Sequence, residues 1–128
     1  MPALASYDYA IVRVVPQVER GECINVGIIL FCRMRRYLAI RIAIDTQRLT
    51  TFAPSLNLDE VQNALEQLER VCKGGEDSGP IGQLSLSERF HWLVAPRSTI
   101  IQTSPAHSGL SSNPEHTLEH LMKTMVLP

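Results

Sequence analysis

The sequence predicts an α+β fold, a small antiparallel sheet of three to four strands packed against about three helices, and three observations carry that expectation. Residues 7–15 and 37–44 are rich in β-branched and aromatic side chains, and residues 23–32 between them are apolar on both faces for most of their length. Beyond Asp45 the apolar spacing changes from two to about 3.6, the period of a helix. The length of 128 residues and mass of 14.3 kDa are those of one domain, 1–128. A chain of that size buries a core without help from disulfides or metal.

Residues 7–15 form the first strand, stopped by Pro16, which has no N–H for a ladder. Residues 17–22 are a polar loop, and residues 23–32 are a central strand because both of its faces are apolar. Arg33-Met34-Arg35-Arg36 makes a tight connection into the third strand at 37–44, a β-hairpin by length and pattern. Asp45 caps a short helical turn that reaches about Phe52 and stops at Pro54. Asp59 followed by Gln62 reads as a capping box for the clearest helix of the chain. Val61, Ala64, Leu65, Leu68 and Val71 recur at helical spacing up to Cys72, and Gly74 sits just past the end. Residues 73–80 read as a turn, 84–94 as a helix ended by Pro96, and 98–103 as a fourth strand. Residues 104–114 read as a loop of Ser, Gly, Asn and Pro. Pro114 suits the first turn of a last helix through Val126.

Composition excludes several classes. Hydrophobic residues make up 45% of the chain, charged residues 20%, and mean hydropathy is +0.00, which fits a soluble globular domain and not a disordered, collagenous or coiled-coil chain. The longest apolar run, residues 28–32, is far short of the roughly 20 residues a membrane span needs. Met1-Pro2-Ala3-Leu4 lacks the basic and apolar regions of a secretory signal, so the expected location is cytoplasmic. Cys23, Cys32 and Cys72 are odd in number, with no Cys-x-x-Cys, which fits neither a zinc ribbon nor a disulfide framework and points to a reducing compartment. The net charge of −1 gives no global drive toward nucleic acid or membrane. The charge is unevenly spread: residues 1–50 hold seven arginines against four acids, and residues 51–128 hold five basic against nine acidic residues.

Matching aliphatic faces across the hairpin predicts a three-residue loop. Arg41 then shares a face with Asn25 and Gly27 and lies directly across from Gly27, where the missing side chain leaves room for a guanidinium. Arg13 alternates onto one face of the first strand, with nothing to fix that strand's pairing. An arginine and an asparagine on a half-buried sheet face need partners. The functional reading is a bound anion, a phosphate or carboxylate. The structural reading pairs Arg41 with an acid such as Glu22 or Asp45 and lets Asn25 satisfy a bulge.

Three further motifs bear on chemistry. Arg97-Ser98-Thr99 gathers a guanidinium and two hydroxyls, and Ser104 and His107 follow in the Gly/Pro loop. Anion binding suits this group better than nucleophilic catalysis, since no Gly-x-Ser-x-Gly elbow is present. His116-Thr117-Leu118-Glu119-His120 has the letters of an inverted zinc-peptidase motif. The buried stripe of that helix, Leu118, Leu121, Met122 and Met125, turns both histidines to solvent, and the eight residues after His120 leave no room for a downstream acidic ligand, so no metal is expected. Arg33, Arg35 and Arg36 crowd the hairpin tip without the interleaved aromatics of a nucleic-acid stacking platform.

Tyr7-Asp8-Tyr9-Ala10-Ile11-Val12-Arg13-Val14-Val15-Pro16, followed by Glu19-Arg20-Gly21-Glu22-Cys23-Ile24-Asn25-Val26-Gly27-Ile28-Ile29-Leu30, resembles an uncharacterised bacterial family, domain of unknown function 3037. The runs from Arg89-Phe90 to Trp92, from Pro96-Arg97-Ser98-Thr99 to Ser104, and His107-Ser108-Gly109-Leu110 resemble it too. The likeness covers nearly the whole chain, and Asn25, Gly27, Arg97, Ser104 and His107 fall within it. It implies a small cytoplasmic bacterial protein without established activity. Some members are encoded beside a HipA-like kinase, which implies a regulatory or antitoxin-like partner.

The expected function is a non-catalytic binding or regulatory module for a protein partner, with a HipA-like kinase as the candidate and no cofactor. An anionic small molecule is expected at a polar face made by Asn25, Gly27, Arg41, Arg97, Ser98, Ser104 and His107. The alternative is a small phosphate-handling enzyme or nuclease with His107 as acid–base and the arginines stabilising charge. A nucleic-acid binder ranks third, because duplex binding demands a stronger basic patch.

Overall fold

A computed structural model of the chain describes residues 3–97 and 99–128. Ser98, named above as a candidate ligand residue, lies outside them. The elements run β1 (Ala5–Val14), β2 (Ile24–Cys32), β3 (Tyr37–Ile42), α1 (Thr46–Phe52), α2 (Leu58–Lys73), α3 (Gly79–Gly82), α4 (Leu86–Leu93), β4 (Ile101–Thr103), β5 (His107–Ser111) and α5 (Pro114–Met125). The fold is α+β with an antiparallel sheet, as expected, but among the described residues the sheet has five strands and there are five helices. The order is β3-β2-β1, and β4 and β5 pair one after the other along the free edge of β1.

The added strand explains the difference in count. β4 and β5 are one edge run interrupted at residues 104–106, with the pairing shifting from Val12 opposite Thr103 to Tyr9 opposite His107. Pro105 has no N–H, and Ser104 supplies the missing bonds. Its amide donates to the Ile11 carbonyl at 2.9 Å, and its hydroxyl accepts the Ile11 amide at 2.9 Å. The Ser, Gly and Pro that read as a loop are here the stitching of an interrupted edge. The remaining extra helix, α3, is a single turn of Gly-Pro-Ile-Gly around the expected turn region.

One cap differs from the sequence reading. Asp45 does cap α1, accepting the Arg48 amide at 3.0 Å. The start of α2 belongs to Asn57, whose Oδ1 accepts the Glu60 amide at 3.2 Å, and not to an Asp59/Gln62 box. The capping box of the chain lies instead at Ser85 and Glu88, opening α4.

The sheet is covered on both faces. On one, Val12, Val14, Ile29 and Phe31 pack against Leu65 and Leu68 of α2 and Phe90 and Leu93 of α4. On the other, Ile28, Leu30 and Cys32 meet Leu118, Leu121 and Met122 of α5. Fully burying a side chain of this kind stabilises by about 1.5–3 kcal/mol, so both layers matter.

That double cover is why aliphatic matching misreads the hairpin register. The connection holds four residues, Cys32 faces Tyr37, and Gly27 stands opposite Ile42, while Arg41 stands opposite Ile28. Val26 is an extra residue in β2, since Val12 pairs with Gly27 and Arg13 with Asn25. The bulge turns Ile24 and Val26 toward the α2 side together with Ile29 and Phe31, and turns Asn25 toward α5. Arg41 and Asn25 do share a face; Gly27 lies on the opposite one.

All three cysteines are free, with Cys23 exposed and Cys32 and Cys72 buried. Burial pushes the Cys72 thiol up to about 12. Only Cys23 should therefore react when the native protein meets iodoacetamide at about pH 8, giving one adduct by mass spectrometry against three in urea. A second native adduct would contradict this packing. Because the folded thiol titrates above its ordinary 9.0, its contribution to stability is complete below about pH 9 and is lost as pH rises toward 12. Among the described residues no helix is long and apolar enough to cross a membrane.

Candidate binding face

The residues proposed from sequence do not gather into one anion site. Arg41, on the α5 face of β3, bonds Glu119 through Nε at 2.9 Å and has Glu115 at 3.8 Å. It ties β3 to α5, using neither Glu22 nor Asp45. With Arg41 side chains 42% and Glu119 side chains 52% exposed, the pair is worth at most about 1 kcal/mol. Asn25 donates through Nδ2 to the Met125 carbonyl at 3.1 Å, fastening the end of α5 over β2. Arg97 belongs to the other side of the sheet, where its Nη2 donates to the Trp92 carbonyl at 2.7 Å and its guanidinium lies 5.0 Å from the centre of the Trp92 ring. Burial there pushes its pKa down. Arg41 and Arg97 thus stand on opposite faces, and no cleft brings their guanidiniums together. Ser104 is buried in the edge stitch, bonded to Ile11 and to the Pro105 carbonyl.

The zinc-like letters also resolve into surface chemistry. His116 and His120 are exposed, and Glu119 between them is held by Arg41. Among the described residues no three His, Cys, Asp or Glu side chains group as metal ligands.

What β1 presents on the α5 side was not assembled from sequence. Alternation places Tyr7, Tyr9, Ile11 and Arg13 there, with Val12 and Val14 on the opposite core. α5 packs chiefly on β2 and β3 and also meets Ala5 of β1 and Ser111 of β5, whose hydroxyl lies 2.6 Å from that of Thr117, which leaves the stretch from Tyr7 to Arg13 with His107 as the more open half of this face. Tyr7, Tyr9 and Ile11 touch the margin of the α5 cluster and stay half-buried. The aromatic rings form a row: Tyr7 and Tyr9 are 6.2 Å apart between centres, and Tyr9 and His107 of β5 are 5.4 Å apart. Gly109 makes the row possible, because a Cβ there would lie 2.6 Å from the Tyr7 hydroxyl oxygen. Burial, and then the neighbouring Tyr9, raise the Tyr7 phenol above its usual 10.0.

Arg13 lies on the same face, four residues further along β1 than Tyr9. It faces Asn25 on one side and Gln102 on the other. Its Nε is shut off from solvent and meets no acceptor among the described residues. Asn25 donates through Nδ2 to the Met125 carbonyl, and Gln102 donates through Nε2 to the Thr99 carbonyl at 3.1 Å. An unpaired buried donor costs about 1–3 kcal/mol. A depression of about 530 Å³ elsewhere on the surface, lined by Pro16, Phe52, Leu56 and Ile100 among others, also contains Arg20, but that arginine is already paired with Glu22.

Of the residues expected to bind, His107 lies on this face beside the aromatic row, with Asn25 one strand away on the far side of Arg13. Tyr7 and Tyr9 were missed. Their signal was present in the alternation Tyr7, Tyr9, Ile11, Arg13, but reading His107 as a loop residue hid the fact that β1 has a neighbour on that edge. No curated protein and no solved structure matches the chain. A family model does, over residues 9–126, which run from Tyr9 in the aromatic row to Val126 past the end of α5; the chain belongs to that family, described as a protein of unknown function, DUF3037.

Proposed function

We propose that the chain is a non-catalytic binding or regulatory module that engages a protein partner through the open half of the α5 face. The observation that carries this reading is the aromatic group of Tyr7, Tyr9 and His107, half-buried or exposed on the α5 side of β1 and β5. Tyrosine is among the side chains that dominate protein–protein affinity, since it offers large contact area at low entropic cost. The half-buried tyrosine rings supply that area.

The first partner to test is the HipA-like kinase that the family resemblance implies. Titration calorimetry of the purified pair should give a one-to-one complex that Tyr9→Ala weakens by about tenfold or more, the loss expected of a central aromatic anchor. Arg41→Ala, on the far side of α5, should leave the affinity within about twofold. A complex indifferent to Tyr9→Ala would sink this face as the binding surface, and no complex would sink the kinase as the partner.

A further inference from the structure

We infer that the chain pairs with a second copy of itself along the free edge of β3, joining the two sheets across a two-fold axis at Ile40. This edge is separate from the aromatic face and does not depend on it. β3 is the outer strand of the sheet beyond β2, and no described segment pairs with its other edge. The Ala43 amide donates to the Val26 carbonyl at 2.8 Å. By the alternation of an antiparallel ladder, Tyr37, Ala39 and Arg41 then also turn their backbone groups to β2. Leu38, Ile40 and Ile42 turn theirs outward, and among the described residues nothing bonds those amides and carbonyls.

Sheets ordinarily blunt such an edge with proline, lysine, a bulge or a very short strand. The opposite edge of this sheet does so: β4 and β5 are short, the run is broken at residues 104–106, and it carries Pro105. β3 has none of these devices over Tyr37–Ile42, and its one charge, Arg41, is drawn onto α5 by Glu119. All six residues of the strand are half-buried. The strand also complements itself, which commits the edge to a second copy. With Ile40 opposite Ile40 of the second copy, Leu38 meets Ile42 of that copy and Ile42 meets its Leu38. Each of the three residues then exchanges a donor and an acceptor, and no outward group is left over. On the α2 side aliphatic side chains meet aliphatic side chains. On the α5 side each large side chain meets an alanine, Tyr37 opposite Ala43 and Arg41 opposite Ala39. Neighbouring registers lose this fit. Sliding the pair one way sets Arg41 against Arg41, and sliding it the other way sets Ile42 against Arg36 in the left-handed turn, where φ is 52°. A slip of a single residue would oppose side chains from different faces.

Sedimentation velocity of the purified chain at about 100 μM should give about twice the 14.3 kDa of one copy, falling to one copy on dilution. Ile40→Pro removes an N–H that points away from β2, so the variant should keep the native circular dichroism and sediment as a monomer. Two charge variants test the same axis without a proline. Ile40→Lys alone and Ile40→Glu alone set like charges against each other and should each weaken self-association by about tenfold or more. Mixing the two should restore it, as a one-to-one heterodimer in native mass spectrometry. Tyr9→Ala should leave the dimer unchanged, so the fate of this pairing and that of the aromatic face are read separately. A wild-type chain that stays monomeric at that concentration would overturn the inference. So would a folded Ile40→Pro variant that still dimerises, or Lys and Glu variants that remain apart on mixing. A dimer that Tyr9→Ala abolishes would move the contact to the aromatic face and overturn the β3 edge.

Discussion

Gly27→Ala is expected to lower stability by about 3 kcal/mol, read as a drop in the urea midpoint at unchanged slope. Gly27 sits in the central strand just after the bulge at Val26, and a Cβ built there would lie 2.5 Å from the Arg41 carbonyl oxygen and 3.2 Å from Ile42 Cγ1. The first of those is backbone, so no rotamer change relieves it. β3 would have to move away from β2, straining the bond from the Ala43 amide to the Val26 carbonyl at 2.8 Å. Overpacking of a core by one methyl usually costs about 1–3 kcal/mol, and displacing a strand puts this site at the upper end or beyond. Gly21→Ala is the control. Nothing lies within 4 Å of a Cβ at Gly21, but its φ of 72° is left-handed, so that change should cost only about 1 kcal/mol. Equal losses at the two glycines would show that the close approach of β3 is not what requires Gly27.

The same strand shows what was legible in the sequence and what was not. The hairpin, the Asp45 cap, the apolar stripe of α2 ending at Gly74 and Pro114 at the start of α5 were all readable, because each depends on neighbours within a few residues. Gly27 was singled out for its missing side chain, and the space it leaves is indeed used, by the β3 backbone and not by the Arg41 guanidinium. Telling these apart requires the register, and a strand apolar on both faces does not declare it. Val26 adds a second obstacle, since one bulged residue reverses the face of everything before it. The candidate face needed still more distant information. Arg13 meets Gln102 and Asn25, and Tyr9 meets His107, only because residues 101–111 return to the edge of β1. Pro105, Gly109 and the serines at 104, 108 and 111 concealed that return behind the composition of a loop.

Arg89 is the other residue whose loss should be felt throughout the fold, and nothing local announced it. Its side chain is buried, yet it has no carboxylate partner among the described residues. Its Nη1 donates to the carbonyls of Val71 at 3.1 Å and Cys72 at 2.9 Å, and its Nε donates to the Leu84 carbonyl at 3.1 Å. Two of these belong to the last turn of α2, whose carbonyls have no partner within the helix. The charge also sits at the negative end of the helix dipole, which helps compensate its burial. Gly74 completes the corner: with φ at 72° it turns the chain out of α2, and a Cβ there would lie 2.4 Å from Arg89 Nη1. Arg89→Met keeps much of the apolar stem but leaves three carbonyls short of a donor, so it should cost about 3–4 kcal/mol. Arg89→Lys should recover little, since one ammonium cannot span the fork from Leu84 to Cys72. The contact with Gly74 gives a sharper signature in a double-mutant cycle. Gly74→Ala in the wild type meets both the left-handed backbone and the guanidinium, whereas in Arg89→Met only the backbone strain of about 1 kcal/mol is left. The two losses should therefore sum to more than the double mutant shows, by about 1 kcal/mol or more. Strict additivity, or an Arg89→Met variant within about 1 kcal/mol of wild type in urea, would mean that the end of α2 is held by something other than this arginine.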